Sequence, residues 1–451
     1  MISAATAEAV ARRSYGKLVA LLSARTRDVA AAEDALADAF AAALAAWPAH
    51  GVPANPEAWL LTAARHRLID AVRTRQTHAA ASDTLQLLGE WAQAATDVAG
   101  QRHEIPDRRL ALMFACAHPA IDAALRAPLM LQTLLGLDAA AIGSAFLVAP
   151  ATMGQRLVRA KARIRQAGIP FAVPALADLP PRLGAVLDAI YACYAEGWTD
   201  PAGTDPQRRN LADEALWLGG LVASLLPDEP EALGLLSLML HSHARRAARR
   251  DAAGHYVPLA AQHTALWDAR MLREAERLLQ RAGALALAPG ANTARVGRDP
   301  WVAHPRVGRY QLEAAIQSAH GVRRFTGVAD WPAIVALYDA LARLTDSPVV
   351  ALNRAVALAE TAGPAAALAA LDALGADARL ADYQPAWAAR ADLLQRLGRG
   401  TEATAAYGRA IGLEADPVVR AFLQQRRAGV AGQPAAPHIG LPPTAQPGGG
   451  A

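Results

Sequence analysis

Three prolines within ten residues, Pro48, Pro53 and Pro56, stop a helical pattern that otherwise runs from about Thr6 to Thr77. A proline in a helix interior removes a backbone hydrogen bond and clashes with the preceding turn, so the loop from Trp47 to Pro56 separates two helical stretches. The punctuation recurs between Ile169 and Pro181, where four prolines and almost no charge mark a second stop. Hydrophobic residues make up 53% of the 451 residues but aromatics only 5%. Much of the apolar count is alanine, a strong helix former that buries little area. An all-α fold follows, divided into several bodies because the length exceeds what one core organises.

The spacing predicts a first helical module over 8–78, a weakly patterned linker over 79–106 with one short helix around Leu85 to Ala95, and a second module over 107–168. A Pro-rich linker over 169–181 leads to a helical extension over 182–427, interrupted between Pro289 and Gly308. The Gly-, Ala- and Pro-rich tail, 428–451, is expected to be disordered. Within the extension Tyr338, Leu341 and Pro348-Val349-Val350 recur sixty-nine residues later as Tyr407, Ala410 and Pro417-Val418-Val419. Arg354-Ala355 and Gly363 recur at about half that offset as Arg390-Ala391 and Gly398. A period near 34 residues is that of tetratricopeptide repeats, so helix pairs stacked as a solenoid are expected from about residue 310.

The segment Thr152 to Gln166 carries the clearest chemistry. At 100° per residue Met153, Leu157, Ala160 and Ile164 fall within about 60° of one another and form an apolar stripe. Thr152, Arg156, Arg159 and Arg163 line a strip beside it. Five cations and no acid lie between Gln155 and Arg165, so this face suits a phosphate backbone and can set guanidinium forks on base edges. Upstream, Asp138 is placed to cap a short helix over Ala139 to Phe146, Leu147-Val148-Ala149 turn the chain, and Pro150 opens the next helix. That is the layout of a helix-turn-helix.

In the first module Leu36, Phe40, Leu44 and Trp47 are predicted to share one helix face, with Asp34 and Asp38 one turn apart on the opposite one. An exposed acidic pair repels DNA and suits a basic protein surface. After the proline loop, Pro56 to Arg75 reads as a helix in which Trp59 and the leucines supply the core side and Arg65, Arg67, Arg73 and Arg75 face one interior acid, Asp70.

With these residues in order, the chain resembles the extracytoplasmic-function (ECF) group of RNA polymerase sigma factors. The resemblance covers residues 8 to 77 as the sigma-2 domain and about 107 to 167 as the sigma-4 domain, and the rest looks like the ECF group bearing a long tetratricopeptide-type extension. It implies that Glu33, Asp34 and Asp38 contact the polymerase core. It also implies that Arg65, His66, Arg67, Arg73 and Arg75 meet the minus-ten element, and that Thr152, Gln155, Arg156 and Arg159, with Arg163 on the same strip, meet the minus-thirty-five element. Two departures stand out: Ala141-Ile142-Gly143 replaces the usual Glu-Ile-Ala core, and Pro128 sits inside an expected helix.

The net charge of +4 does not by itself establish a nucleic-acid partner. Only Cys116 and Cys193 are present, in neither a zinc nor a disulfide pattern, which fits a reducing compartment. The alanine-rich runs are broken by charge, so no membrane span and a cytoplasmic protein are expected. His241, His243, Asp251, His255 and His263 lack metal-ligand spacing, and no nucleophile elbow, phosphate loop or paired-carboxylate set appears. Neither a cofactor nor a catalytic role is therefore expected. The expected partners are RNA polymerase core and promoter DNA, with a protein partner or intramolecular docking for the extension. The rival reading is a helix-turn-helix repressor or activator with a ligand-sensing helical domain, which would bind its duplex site without core polymerase; an enzyme on a helical scaffold is a second.

Overall fold

The computed structural model describes residues 15–75 apart from 17, 20, 24, 25, 27 and 28, then 108–166, 174–175, 178–198, 211–287, 307–375 and 377–430. Among them the structure is helical, with one isolated antiparallel bridge between Arg250 and Tyr256. The expected linker helix at Leu85 to Ala95 and the tail beyond residue 430 lie outside the described residues. The chain divides into two compact units, residues 1–144 with 149–189, and 145–148 with 190–451.

In the first unit α1 spans Val29–His50 and packs on α2, Pro56–Arg75. The helix does not stop at Trp47 as the proline loop predicts. Pro48 lies in its final turn, where the cost of a proline is least, and the helix ends at Gly51, which adopts a left-handed φ of 81° and donates its N–H to the Trp47 carbonyl. The buried face also differs from the expected one. Leu36 and Trp47 are buried, but Leu44 is 52% exposed, and Ala39 and Ala43 complete the stripe instead. Trp47 fixes this register: its ring meets Trp59 of α2 edge to face, with centroids 5.6 Å apart, and small alanines let the two helices approach.

Four further helices follow: α3, Arg108–Cys116; α4, Ala123–Thr133; α5, Ala139–Ala145; and α6, Pro150–Gln166. Pro128 is accommodated within α4 and is buried, while Asp122 caps that helix by accepting from the Ala124 N–H. α7, Pro180–Trp198, carries the chain into the second unit.

The second unit continues with α8, Leu211–Leu225; α9, Pro230–His243; α10, Ala269–Leu287; and α11, Arg309–Gly321. α9 packs on both α10 and α11. Gly234 lets its backbone close on Gln311, where an added Cβ would lie 2.8 Å from the Gln311 nitrogen. The Glu231 carboxylate caps α11 from outside, accepting from the Tyr310 and Gln311 N–H groups at 2.9 and 3.1 Å. Residues 244–268, expected to be helical, are instead three short 3₁₀ turns and the Arg250–Tyr256 bridge. Gly254 there has a φ of 83°, a left-handed turn that a helix cannot contain.

After the single turn α12, Arg323–Thr326, come α13, Trp331–Leu344; α14, Pro348–Thr361; α15, Gly363–Ala373; α16, Gln384–Arg396; α17, Gly400–Leu413; and α18, Pro417–Gly429. From α13 to α18 each helix packs on the next. The sixty-nine-residue offset maps α13 onto α17 and α14 onto α18: Tyr338 and Tyr407 are both buried, and Pro348 and Pro417 both open helices. Gly363 and Gly398 hold left-handed φ values of 85° and 72° at equivalent bends, which L side chains disfavour.

Candidate nucleic-acid interface

α6 is anchored by the stripe that its periodicity predicts: Met153, Leu157, Ala160 and Ile164 are all buried. Thr152, Gln155, Arg156, Arg159 and Arg163 are all exposed. None of the three arginines forms an ion pair with a described residue, so their guanidinium forks are available to phosphates and base edges. The preceding helix begins at Asp138, whose Oδ1 accepts from the Ala140 and Ala141 N–H groups at 3.0 and 2.8 Å. Ile142 is fully buried and gives α5 its hydrophobic anchor despite the Ala-Ile-Gly sequence. Leu147 turns the chain with a φ of 51°, a left-handed conformation that costs a non-glycine residue roughly 1–2 kcal/mol and so requires support from its surroundings.

On α2 the side chains of Leu60, Ala64 and Leu68 are buried and His66 and Arg67 are exposed. Arg65 is half-buried. Asn55 sets the start of the helix by accepting from the Ala58 N–H. The side chains of Arg73 and Arg75 lie outside the described residues.

On α1 Asp34 and Asp38 are exposed, whereas Glu33 is not free. Its Oε2 lies 2.6 Å from Lys161 Nζ of α6, with both side chains largely buried. This pair joins residues 128 apart in sequence and has no signature in periodicity. Its charges are felt at two buried groups. Burial pushes the Cys116 thiol up to about 12, with Glu33 adding to the rise and Lys161 opposing it. The Tyr15 hydroxyl is likewise raised to about 12 by burial, then by Glu33 and Asp34. The same site therefore holds one acid in an ion pair and leaves two facing solvent.

Among the described residues no group of three or more His, Cys, Asp or Glu could hold a metal ion, and no helix is long and apolar enough to cross a membrane. Residues 10–78 match the family model described as Sigma-70 region 2, and residues 182–283 match one described as a family of unknown function, DUF6596. The chain is 38% identical over 411 residues to the Rhizobium meliloti (strain 1021) protein named "Uncharacterized protein R00370", a match that covers 91% of this chain and 92% of that one. No solved structure matches significantly.

Proposed function

We propose, from the Sigma-70 region 2 match over residues 10–78, that the chain is a sigma-70 family factor of the ECF type, acting in transcription initiation with RNA polymerase, whose second DNA-reading element is α5–α6. The observation that carries the proposal is α6 itself: an apolar stripe buried along its whole length and an exposed strip of Thr152, Gln155, Arg156, Arg159 and Arg163 with no acid among them. α5 and α6, joined by the turn at Leu147, act as a helix-turn-helix, with α6 entering the major groove at the minus-thirty-five element. Asp34, Asp38 and, when released from Lys161, Glu33 bind the core enzyme. The basic side of α2, from Arg65, His66 and Arg67 toward Arg73 and Arg75, meets the minus-ten element. Phosphate contacts position the complex and base contacts specify it; the polymerase performs the chemistry, so the chain acts stoichiometrically in the cytoplasm.

The successive helix pairs from α13 to α18 are a tetratricopeptide-type solenoid that binds protein, either a separate partner or another part of this chain, and tunes the sigma activity. Two assays test this reading together. The full chain is expected to co-elute with core polymerase, and a chain ending at Gly168 is expected to differ from it in core affinity, promoter choice or output. Absence of co-elution overturns the sigma assignment, and identical behaviour of the shortened chain overturns the regulatory role.

A further inference from the structure

The buried arginines of the second unit commonly have an acid beside them: Arg250 with Asp416, Arg309 with Glu313, Arg396 with Glu360, Arg426 with Asp392. Three in one neighbourhood do not. Arg245, just past the end of α9, is only 7% exposed, and its guanidinium has one hydrogen-bond partner among the described residues, Oε1 of Gln317 at 2.6 Å. Arg323 donates to the Leu259, Ala260 and Gln262 carbonyls. Arg249 donates to the Trp198 carbonyl and lies over the Trp198 ring. Carbonyl and amide oxygens satisfy N–H groups and the end of α9 offers a partial negative charge, but none carries a full one. A guanidinium taken out of water without a counter-charge is costly.

The groups around these arginines have the same character. The Arg245 and Arg323 guanidinium carbons lie 5.9 and 5.4 Å from the centre of the Trp267 ring, which is oriented by an indole N–H bond to Gln262 Oε1. His241 is 2% exposed, and neither of its ring nitrogens has a hydrogen-bond partner. Burial first, then Arg245, pushes it down to about 3. His320 is pushed down to about 3 by burial, Arg245 and Arg323. Both rings are therefore neutral and add no charge. Among the described residues the acids nearby are already engaged. Glu276 lies 3.5 Å from His241 Nε2 and accepts from Ser318 Oγ, and Asp268 caps α10 through the Arg270 and Met271 N–H groups. Asp416 holds Arg250.

We propose that Arg245 and Arg323, with the Trp267 face and the His241 and His320 rings, form a binding site for a small oxyanion, a carboxylate or phosphate group, whose charge offsets that of the guanidiniums. Arg323 already serves three carbonyls through Nη1 and Nη2, so Arg245, whose Nε and Nη1 have no hydrogen-bond partner among the described residues, supplies most of the donors that carboxylate or phosphate oxygens accept. The burial of Arg245 and His241 restricts the ligand to a small molecule and excludes a nucleic-acid backbone. The site lies in the helical region distinct from the sigma modules and stands independently of how they act.

The test is thermal unfolding of the full chain in inorganic phosphate, in succinate and in sodium chloride at matched ionic strength. A specific oxyanion raises the midpoint by several degrees beyond chloride; a response to phosphate alone or succinate alone identifies which group the site takes. The companion variant is Gln317→Glu, which places a carboxylate against Arg245 at almost no change in size. It is expected to raise the midpoint in anion-free buffer and to abolish the response to the anion. Equal midpoints in all three salts overturn the proposal. So does a Gln317→Glu chain that is destabilised, fails to fold, or still responds like the unmodified one.

Discussion

The arginines of α6 and four of those in the helix pairs from α13 to α18 are used in opposite ways. Along α6, Arg156, Arg159 and Arg163 point outward with no described acid in reach. In the helix pairs Arg354 meets Asp339, Arg390 meets Asp372, Arg396 meets Glu360 and Arg426 meets Asp392, each joining one helix to another. A paired arginine spends its donors on holding neighbouring helices in register, and an unpaired one keeps them for a ligand. The charge of a segment is thus less informative than whether the fold supplies its counter-charge.

The largest expected effect lies at the most buried of these four pairs. Arg426 and Asp392 are both nearly inaccessible, and Arg426 also donates to the Tyr407 hydroxyl. Asp392→Ala leaves that guanidinium unpaired and is expected to cost roughly 3–5 kcal/mol, read from denaturant unfolding followed by circular dichroism. A loss comparable to an exposed pair, below about 1 kcal/mol, would show that the helix pairs do not depend on their arginines.

Arg156→Ala and Arg159→Ala sharpen the other side. Each is expected to leave the unfolding transition unchanged and to weaken promoter binding by about 1–3 kcal/mol if it reads a base, or to reduce the salt slope by about one unit if it contacts a phosphate. Promoter occupancy measured against salt separates the two, and a destabilised fold with intact binding would reverse the comparison. Next in size is the acidic pair on α1. Asp34→Arg with Asp38→Arg reverses two exposed charges while sparing the buried Leu36, Ala39, Ala43 and Trp47 stripe, so folding should persist and co-elution with core polymerase should fall. Unchanged co-elution would remove these residues from the interface.

The smallest change is expected from Lys161→Ala, which breaks the pair with Glu33. Stability should drop by about 1 kcal/mol or a little more, and Glu33, now free, should favour core binding rather than oppose it. A titration with core polymerase that shows weaker binding would mean that Lys161 serves the interface directly.

How far the sequence reveals this structure depends on the range of the interactions involved. The buried stripe of α6 was legible because four apolar residues share one face of a single helix, and Asp138 was legible as a cap because capping is local. Leu44 misled because it is the larger side chain; the close approach of α1 and α2 at Trp47 and Trp59 selects the alanines. The helix end at Gly51 rather than Pro48 follows from the same local logic once the tolerance of a final turn for proline is counted. Residues 244–268 read as helical from their alanines and arginines, although Gly254 and Pro258 within them were the local signal that the helix breaks. Two features lay beyond any periodicity: the Glu33–Lys161 pair, which links distant segments, and the shortage of acids around Arg245, which depends on which helices converge.

The central claim is that the exposed strip of α6 and the acidic face of α1 work through RNA polymerase. The most direct measurement is transcription in vitro from a cognate promoter using purified core polymerase, with and without this chain and with the Arg156→Ala, Arg159→Ala double variant. The account predicts specific initiation only when core and chain are both present, and reduced initiation with the double variant despite retained core binding. Tight binding of the chain alone to its duplex site, with no initiation on adding core, would contradict it.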